Sequence, residues 1–376
     1  MAAAPLAAFL RTRKNLAAHG AQYWVTGNEA GDLDSLACAI GYAFFSQYVN
    51  PSGSQWIPVV QTRRPDLKLR PENLLMLDKI GVDPELLVCL DEVPELGKDE
   101  HVALVDHNKA TGVFAKATTD AIIDHHADEK LHTEADVRVI LAPQNAGSCA
   151  SVLTQYFQPL LPKSPAVPPA VADLLLSAIL IDTHNMSESA GKAKAVDEGA
   201  RAFLAPRSSY NSAEAQKSLY EALSDAKSDV SQLTTEQKLR RDYKFFACAA
   251  KDGGEWNIGT SSTVEPIDAL LKDGPKALHN DLAAFCASKS LDLAVVLAGY
   301  TDSQEEAHRE LLLYAPGSGR AVAEALAAYK EQSVDLAPLS LDLAGPYCAT
   351  FTQKDPRVTR KQFAPALQAV CAATPK

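Results

Sequence analysis

Acidic side chains follow four apolar segments in the first half of the chain, where they could bind metal ions. The acids are Asp32 and Asp34 after residues 23–26, Asp106 after 102–105, Asp124 after 121–123, and Asp182 after 174–181. The carboxyl ends of parallel strands meet at one edge of a sheet, so we expect these acids to lie close together. Crowded carboxylates repel one another unless a cation lies between them. The pattern therefore predicts a site for divalent cations at the edge of a parallel sheet.

Two of these segments allow further interpretation. Taken alone, the stretch around Asp32 also fits an ordinary turn in which Asp34 or Ser35 caps the following helix. The apolar run 174–181 is longer than a typical strand, so we expect Asp182 to lie at the end of a helix.

Two adjacent histidines, His125 and His126, come directly after Asp124. Alternate residues of a strand point to opposite sides, so the two rings are expected to face different directions. Imidazole is tolerated by Mn²⁺ more readily than by Mg²⁺, which prefers oxygen ligands. One ring can therefore bind a metal while the other faces a substrate.

The order of the elements indicates the fold class. Strands and helices alternate through residues 1–190, which predicts an α/β domain with a doubly wound, mostly parallel sheet. Residues 191–215, rich in Ser, Ala, Lys and Glu, are interpreted as a linker. Residues 216–376 are predicted to form a smaller α/β domain that begins with one charged helix over about 213–241. The active site is expected in the cleft between the two domains.

The composition excludes several classes of protein. The 376 residues are 47% hydrophobic and 22% charged, which is typical of globular proteins, and the length favours two domains. No apolar run approaches the roughly 20 residues that a bilayer requires, so no membrane partner is expected. Seven scattered cysteines without a CxxC pair indicate reduced thiols and a cytoplasmic location. Residues 1–20 fit an amphipathic helix, with a mitochondrial presequence as the alternative.

Four motifs in this order resemble those of the DHH phosphoesterase superfamily. They are GNEAGDLDS, LVDHN, IIDHH and ILIDT. Two further segments, Gly147-Ser148-Cys149 and Thr359-Arg360-Lys361-Gln362, are similar to the branch that contains family II inorganic pyrophosphatases, prune-type proteins and the eukaryotic cytosolic exopolyphosphatases. The resemblance covers nearly the whole chain.

The resemblance implies two divalent metal ions, Mg²⁺ or Mn²⁺. The implied metal ligands are Asp32, Asp34, Asp106, His125 and Asp182, with Asp106 and Asp182 bridging or flanking both ions. It also assigns catalytic roles to Asp106, Asp124 and His126, the last as the group that contacts phosphate and protonates the leaving group. Asn28 and His107 are expected to support the ligands. A pair of metal ions favours direct attack by a metal-bound hydroxide on the terminal phosphorus, without a covalent intermediate.

A polyanionic substrate requires local cations, because the net charge of the chain is −11. The residues that match the family's substrate groups are His126, His308, Arg309, Arg360, Lys361 and Ser148. Considered alone, the pairs His308-Arg309 and Arg360-Lys361 would be solvated surface groups. Ser148 fits an ordinary helix cap as well as a phosphate contact.

These observations predict an exopolyphosphatase that releases orthophosphate from linear polyphosphate. The alternative within the enzyme class is a pyrophosphatase or a short-chain polyphosphate or nucleotide phosphohydrolase; Asn28 disfavours the pyrophosphatase, which carries His at this position. A non-catalytic binding protein on the same scaffold is a second alternative, although all the expected acids are present. The acidic balance disfavours nucleic acid as a partner. The resemblance implies a monomer.

Overall fold

The computed structural model describes residues 4–142, 144–161, 167–302, 304–330, 334–358 and 360–376. The chain divides into two compact units, Met1–Asp229 and Val230–Lys376. The predicted linker, residues 191–215, contains a helix and belongs to the first unit. The two units therefore divide later in the chain than the predicted domain limits.

A six-stranded parallel sheet forms the centre of the first unit. Its strands are β1 (Tyr23–Thr26), β2 (Ile57–Val60), β3 (Val88–Cys89), β4 (His101–Val105), β5 (Thr118–Asp124) and β6 (Val137–Ile140). The spatial order is β3-β2-β1-β4-β5-β6. The direction of winding reverses between β1 and β4, which is where doubly wound sheets place their sites.

Helices pack in an apolar cluster on one face of the sheet. They are α1 (Ala4–Ala17), α2 (Leu33–Val49), α3 (Pro71–Lys79), α4 (Cys149–Phe157), α5 (Pro169–Asp182), α6 (Ala195–Leu204) and α7 (Ala213–Ser228). The end of α1 and the connecting segments cover the other face. Val25 and Val105 pack in one apolar cluster with the buried faces of α2, α4 and α5, whereas Trp24 and Leu104 pack on the opposite side. Burial on both faces explains why these strands are continuously apolar.

The second unit contains a mixed six-stranded sheet in the order β11-β12-β10-β9-β8-β7. Its strands are β7 (Tyr243–Ala249), β8 (Glu255–Thr263), β9 (Leu293–Thr301), β10 (Ala307–Tyr314), β11 (Leu336–Leu339) and β12 (Cys348–Gln353). Only the β8–β9 pair is parallel among the described pairings. The helices are α8 (Thr235–Arg241), α9 (Pro275–Lys289), α10 (Arg320–Ala328) and α11 (Arg360–Ala373). Both units are α/β, as the sequence predicts.

Within the described part of the chain, no helix has both the length and the apolar content needed to cross a bilayer.

Candidate metal centre

The turn between β1 and α2 carries the first two acids. Asp32 is the N-cap of α2, and its Oδ1 accepts a hydrogen bond of 3.1 Å from the Ser35 amide. Gly27 is required at the end of β1, because a Cβ there would lie 2.4 Å from Cβ of Ser35. The cap is thus Asp32 itself, two residues before Asp34 and three before Ser35, the positions that the sequence suggested, and the turn lies close against α2.

Asp34 binds the amino terminus of α4. Its carboxylate accepts hydrogen bonds from Ser148 Oγ at 2.9 Å, the Cys149 amide at 2.6 Å and the Ala150 amide at 2.9 Å. These amides are the unpaired donors at the positive end of the helix dipole, which favours an anion there. The helix terminus that the sequence offered to a phosphate is therefore occupied by Asp34, and Ser148 is fully buried.

Asp106 lies directly after β4 in a left-handed conformation with φ of 62°, which is uncommon for a residue other than glycine. Its Oδ2 accepts hydrogen bonds of 2.7 Å from both Asn28 Nδ2 and Ser35 Oγ. Oδ1 lies 3.2 Å from His125 Nε2, which also lies 3.8 Å from Asp34 Oδ2. One imidazole nitrogen and two carboxylate oxygens therefore face a common space.

The two histidines after β5 stand almost perpendicular, with an interplanar angle of 83° and ring centroids 4.6 Å apart. His126 donates from Nδ1 to Asp124 Oδ1 at 2.8 Å, and this hydrogen bond raises the pKa of His126. Nε2 of His126 is then left for another partner. Burial alone would raise the pKa of Asp124, but hydrogen bonds from His126 and Asn108 lower it. Asp124 thus orients His126 and stays ionised.

Asp182 ends α5, as expected for an acid at a helix end. Burial raises the pKa of Asp182, and the charges of Asp34 and Asp32 raise it further. The pKa of Asp106 is raised by burial and by the same two charges. The four carboxylates therefore lie within electrostatic reach of one another.

Divalent cations fit this set of residues. Several carboxylates that repel one another in a buried space need positive charge between them in order to ionise together. Ligand atoms of Asp106, His125 and His126 lie within 4.8 Å of one another. Carboxylate oxygens suit both Mg²⁺ and Mn²⁺, and an imidazole nitrogen is tolerated more readily by Mn²⁺.

Asn28 and His107, the two residues expected to support the metal ligands, make different contacts. Asn28 donates to Asp106, and its own Oδ1 accepts from the Ala30 amide at 2.8 Å. His107 bonds through Nδ1 to the Val105 carbonyl at 2.9 Å, while its buried Nε2 has no partner among the described residues. Asn28 thus contacts Asp106 directly, whereas the Nδ1 hydrogen bond of His107 goes to the backbone of β4.

The predicted substrate groups of the second unit lie on β10 and α11. Arg309 donates from Nε to the Pro356 carbonyl at 3.0 Å, and Arg360 donates to Asp242 Oδ1 at 2.7 Å. The two arginines line one pocket of this unit. His308 hydrogen-bonds Asp302 at 2.7 Å and stacks on Tyr300, with ring centroids 5.2 Å apart.

The side chain of Lys361 lies outside the described residues.

Sequence reasoning missed three residues that hold these groups in place. Ser35 donates to Asp106, and Asn108 donates to Asp124 Oδ2 at 2.5 Å. A Cβ at Gly299 would lie 2.0 Å from Nη1 of Arg309, so this glycine allows the guanidinium to lie against β9. Asn108 belongs to the LVDHN motif and could have been found there. Nothing in the sequence around Gly299 indicates its role.

Known proteins resemble this chain over most of its length. Exopolyphosphatase PRUNE1 of Mus musculus is 28% identical over 353 residues, which are 92% of this chain and 74% of that protein. A putative exopolyphosphatase of Schizosaccharomyces pombe is 26% identical over 359 residues, 92% of this chain and 89% of that protein. A probable manganese-dependent inorganic pyrophosphatase of Deinococcus radiodurans is 31% identical over 317 residues, 82% and 91% of the two chains.

The fold has a counterpart among solved structures. The crystal structure of a putative family II inorganic pyrophosphatase of Methanococcus jannaschii has a TM-score of 0.58 and 22% identity, and the match covers 93% of this chain and 99% of that one. Residues 22–179 match the model of the DHH family N-terminal domain, and residues 221–370 match the DHHA2 domain. The chain therefore belongs to the DHH phosphoesterase superfamily, with a DHH domain followed by a DHHA2 domain.

Proposed function

We propose that this protein is a metal-dependent exopolyphosphatase that hydrolyses the terminal phosphoanhydride bond of linear inorganic polyphosphate and releases orthophosphate. The observation that carries the proposal is the approach of His125 Nε2 to Asp106 at 3.2 Å and to Asp34 at 3.8 Å. This arrangement suits a cation, and phosphoanhydride hydrolysis needs cations to offset the charge of the phosphates. Relatives named exopolyphosphatase align with 92% of the chain.

The ligands proposed for two divalent ions, Mg²⁺ or Mn²⁺, are Asp32, Asp34, Asp106, His125 and Asp182. These ions would supply Lewis-acid activation of water and would neutralise phosphate oxygens. Asn28 and Ser35 hold Asp106 in the orientation that a ligand needs. Ser148 and the amides of α4 do the same for Asp34.

His126 is the proposed acid of the reaction. Asp124 keeps the proton on Nδ1 and orients the ring, so that Nε2 can donate a proton to the oxygen that leaves with the shortened chain. Water attacks the terminal phosphorus directly as the P–O bond to the leaving oxygen breaks. The leaving oxygen takes the proton from His126, and the attacking water releases a proton to solvent, from which His126 is protonated again. No serine or cysteine nucleophile is required, and Ser148 and Cys149 beside Asp34 are buried.

The proposed phosphate contacts of the second unit are His308, Arg309, Arg360 and Lys361. Arginine binds phosphate oxygens through its planar fork of N–H groups. Arg309 is anchored through Nε, which orients its terminal nitrogens.

Pyrophosphate hydrolysis is the second candidate. The 31% identity to a probable manganese-dependent inorganic pyrophosphatase favours it. Asn28 opposes it, because the family II pyrophosphatases carry His at this position.

The two candidates are separated by an assay of phosphate release. The substrates are pyrophosphate, tripolyphosphate and long-chain polyphosphate, each with Mg²⁺ and with Mn²⁺. We expect the highest kcat/KM on polyphosphate with at least three phosphates, and release of orthophosphate without internal cleavage. A preference for pyrophosphate would establish the second candidate instead. The protein is proposed to act as a monomer in the cytoplasm, which size-exclusion chromatography and cell imaging would test.

A further inference from the structure

A surface cavity of about 640 Å³ lies in the first unit beside the end of α5. The loop after Asp182 provides His184, Ser187 and Ser189 to its lining, and α7 provides Lys217, Tyr220 and Glu221. None of these residues is among the predicted site residues. The cavity begins two residues after a proposed metal ligand, so anything bound in it lies close to the proposed reaction centre.

The backbone of this loop is held in an unfavourable conformation. His184, Asn185 and Met186 have φ of 51°, 54° and 60°, and none of them is glycine. Left-handed backbone is disfavoured for side chains with a Cβ, and consecutive residues of this kind persist only where surrounding contacts enforce them. Thr183 is one such contact, because its Oγ1 accepts from the Met186 amide at 3.2 Å. The strain is concentrated at the cavity wall.

The donors at the cavity are arranged for an anion. Lys192 Nζ lies 3.0 Å from Nε2 of His184, and an ammonium can only donate, so Nε2 accepts and Nδ1 carries the ring proton. The hydroxyls of Ser187 and Ser189 lie 2.8 Å apart, and one proton of the pair remains for a ligand because a single hydrogen bond joins them. His184, a serine hydroxyl and Lys217 thus present N–H and O–H groups at the same surface.

Three lysines, Lys192, Lys217 and Lys227, lie near the cavity, although the whole chain carries a net charge of −11. Lys227 acts electrostatically on both Asp182 and His184, so it lies near the carboxylates and the cavity alike. Lys217 contributes a further ammonium on α7. Acids oppose these charges, among them Glu188, which lies between the two serines of the loop, and Glu221, whose Oε1 lies 3.7 Å from Lys217 Nζ in an exposed pair. Such pairs are weak and screened by salt, so an anion can compete for Lys217.

We propose that this cavity is a phosphate-binding subsite for a phosphate of the substrate chain beyond the one that reacts, with Lys217 as its principal cation and His184 and a serine hydroxyl as neutral donors. This inference rests on the proposed function for its substrate. A contact to a phosphate that longer substrates have and a diphosphate lacks discriminates by chain length. Lys217 is thereby a specificity-determining residue.

The test compares Lys217→Met with two other variants. Lys217→Met is expected to raise KM for long-chain polyphosphate about 3- to 10-fold, the loss of one charge-assisted contact, with KM for pyrophosphate unchanged. Glu221→Gln removes the competing carboxylate and is expected to lower KM for the long chain. Lys116→Met is the matched control, because Lys116 is exposed and precedes β5, at the edge of the sheet opposite the carboxylates.

A binding measurement tests the phosphate subsite independently of the proposed hydrolytic function. Calorimetric titration of the chelated, metal-free protein with tripolyphosphate should show binding that Lys217→Met weakens and that Lys116→Met retains. If the wild-type protein hydrolyses no phosphoanhydride but still shows this dependence, the proposed function fails and the anion subsite stands. If Lys217→Met leaves both tripolyphosphate binding and the chain-length profile unchanged, the subsite proposal is overturned.

Discussion

The side-chain amide of Asn28 lies 2.7 Å from Oδ2 of Asp106, across two strands that are neighbours in the sheet although 78 residues separate them in the chain. A second contact, of 3.1 Å, joins the same amide to the Asp106 carbonyl. Asn28 therefore fixes both the left-handed backbone of Asp106 and its carboxylate. The first two predictions follow from this pair.

Replacement of Asp106 should abolish turnover without unfolding the protein. Asp106→Asn is the preferred variant, because asparagine tolerates the left-handed conformation better than alanine does. We expect kcat to fall at least about 10³-fold, since a proposed ligand of both metal ions loses its charge. Thermal unfolding of the metal-free variant should occur at the same or a higher temperature than that of the wild type, because one of several repelling buried carboxylates is removed.

Metal ions should raise the free energy of unfolding of the wild type, by about 2.7 kcal/mol when the free metal concentration is 100 times the dissociation constant. The increase should be smaller for Asp106→Asn. Asp78→Ala, at an exposed acid on α3, serves as the control and should retain both activity and metal response. An Asp106→Asn protein with wild-type turnover would remove Asp106 from the proposed centre.

Replacement of Asn28 by histidine should change the metal preference. Imidazole is a softer donor than an amide, so Asn28→His should lower the ratio of Mg²⁺-supported to Mn²⁺-supported activity, by about tenfold. Asn28→Ala controls for the lost hydrogen bond to Asp106 and should lower activity with both ions. The measurement is kcat/KM on tripolyphosphate with each ion. An unchanged ratio in Asn28→His would argue against a position beside the metal ions.

Ser148 is predicted to act on Asp34 and not on the substrate. Ser148→Ala removes the N-cap of α4 and a donor to Asp34, so the free energy of unfolding should fall by about 1 kcal/mol and metal affinity should weaken. Ser212→Ala, at the N-cap of α7, should cost similar stability without affecting metal affinity. Urea unfolding and metal titration provide the two readings. A rise in KM with stability and metal affinity intact would instead assign Ser148 to the phosphate.

Gly299 is predicted to position Arg309. The methyl group of Gly299→Ala would collide with Nη1 of Arg309, so the guanidinium must move and KM for polyphosphate should rise about tenfold, with little change in kcat. Gly317→Ala is the control, because no atom lies within 4 Å of the added Cβ. Arg309→Ala should give a similar loss, and the double variant should add little to it. Additive losses would indicate that Gly299 does not act through Arg309.

Local patterns in the sequence predicted the presence of helices and strands more accurately than the residues at which they begin and end. One charged helix was expected over about 213–241, but α7 ends at Ser228 and α8 begins at Thr235, after a capping box formed by Thr234 and Gln237. Strand β11 contains Pro338, which cannot donate a ladder hydrogen bond, so local sequence does not indicate a strand there; β11 is an edge strand, where proline is tolerated.

The sequence alone determined that both units are α/β and that acids follow the apolar strands of the first unit, because strand burial and turn composition are local properties of the chain. Only the tertiary structure decided which partner each acid has. Asp34 accepts hydrogen bonds from Ser148, the Cys149 amide and the Ala150 amide, which lie at least 114 residues away in the sequence. Asp106 accepts one from Asn28, which is 78 residues away. Such contacts depend on how the strands are ordered in the sheet, and no local pattern carries that information.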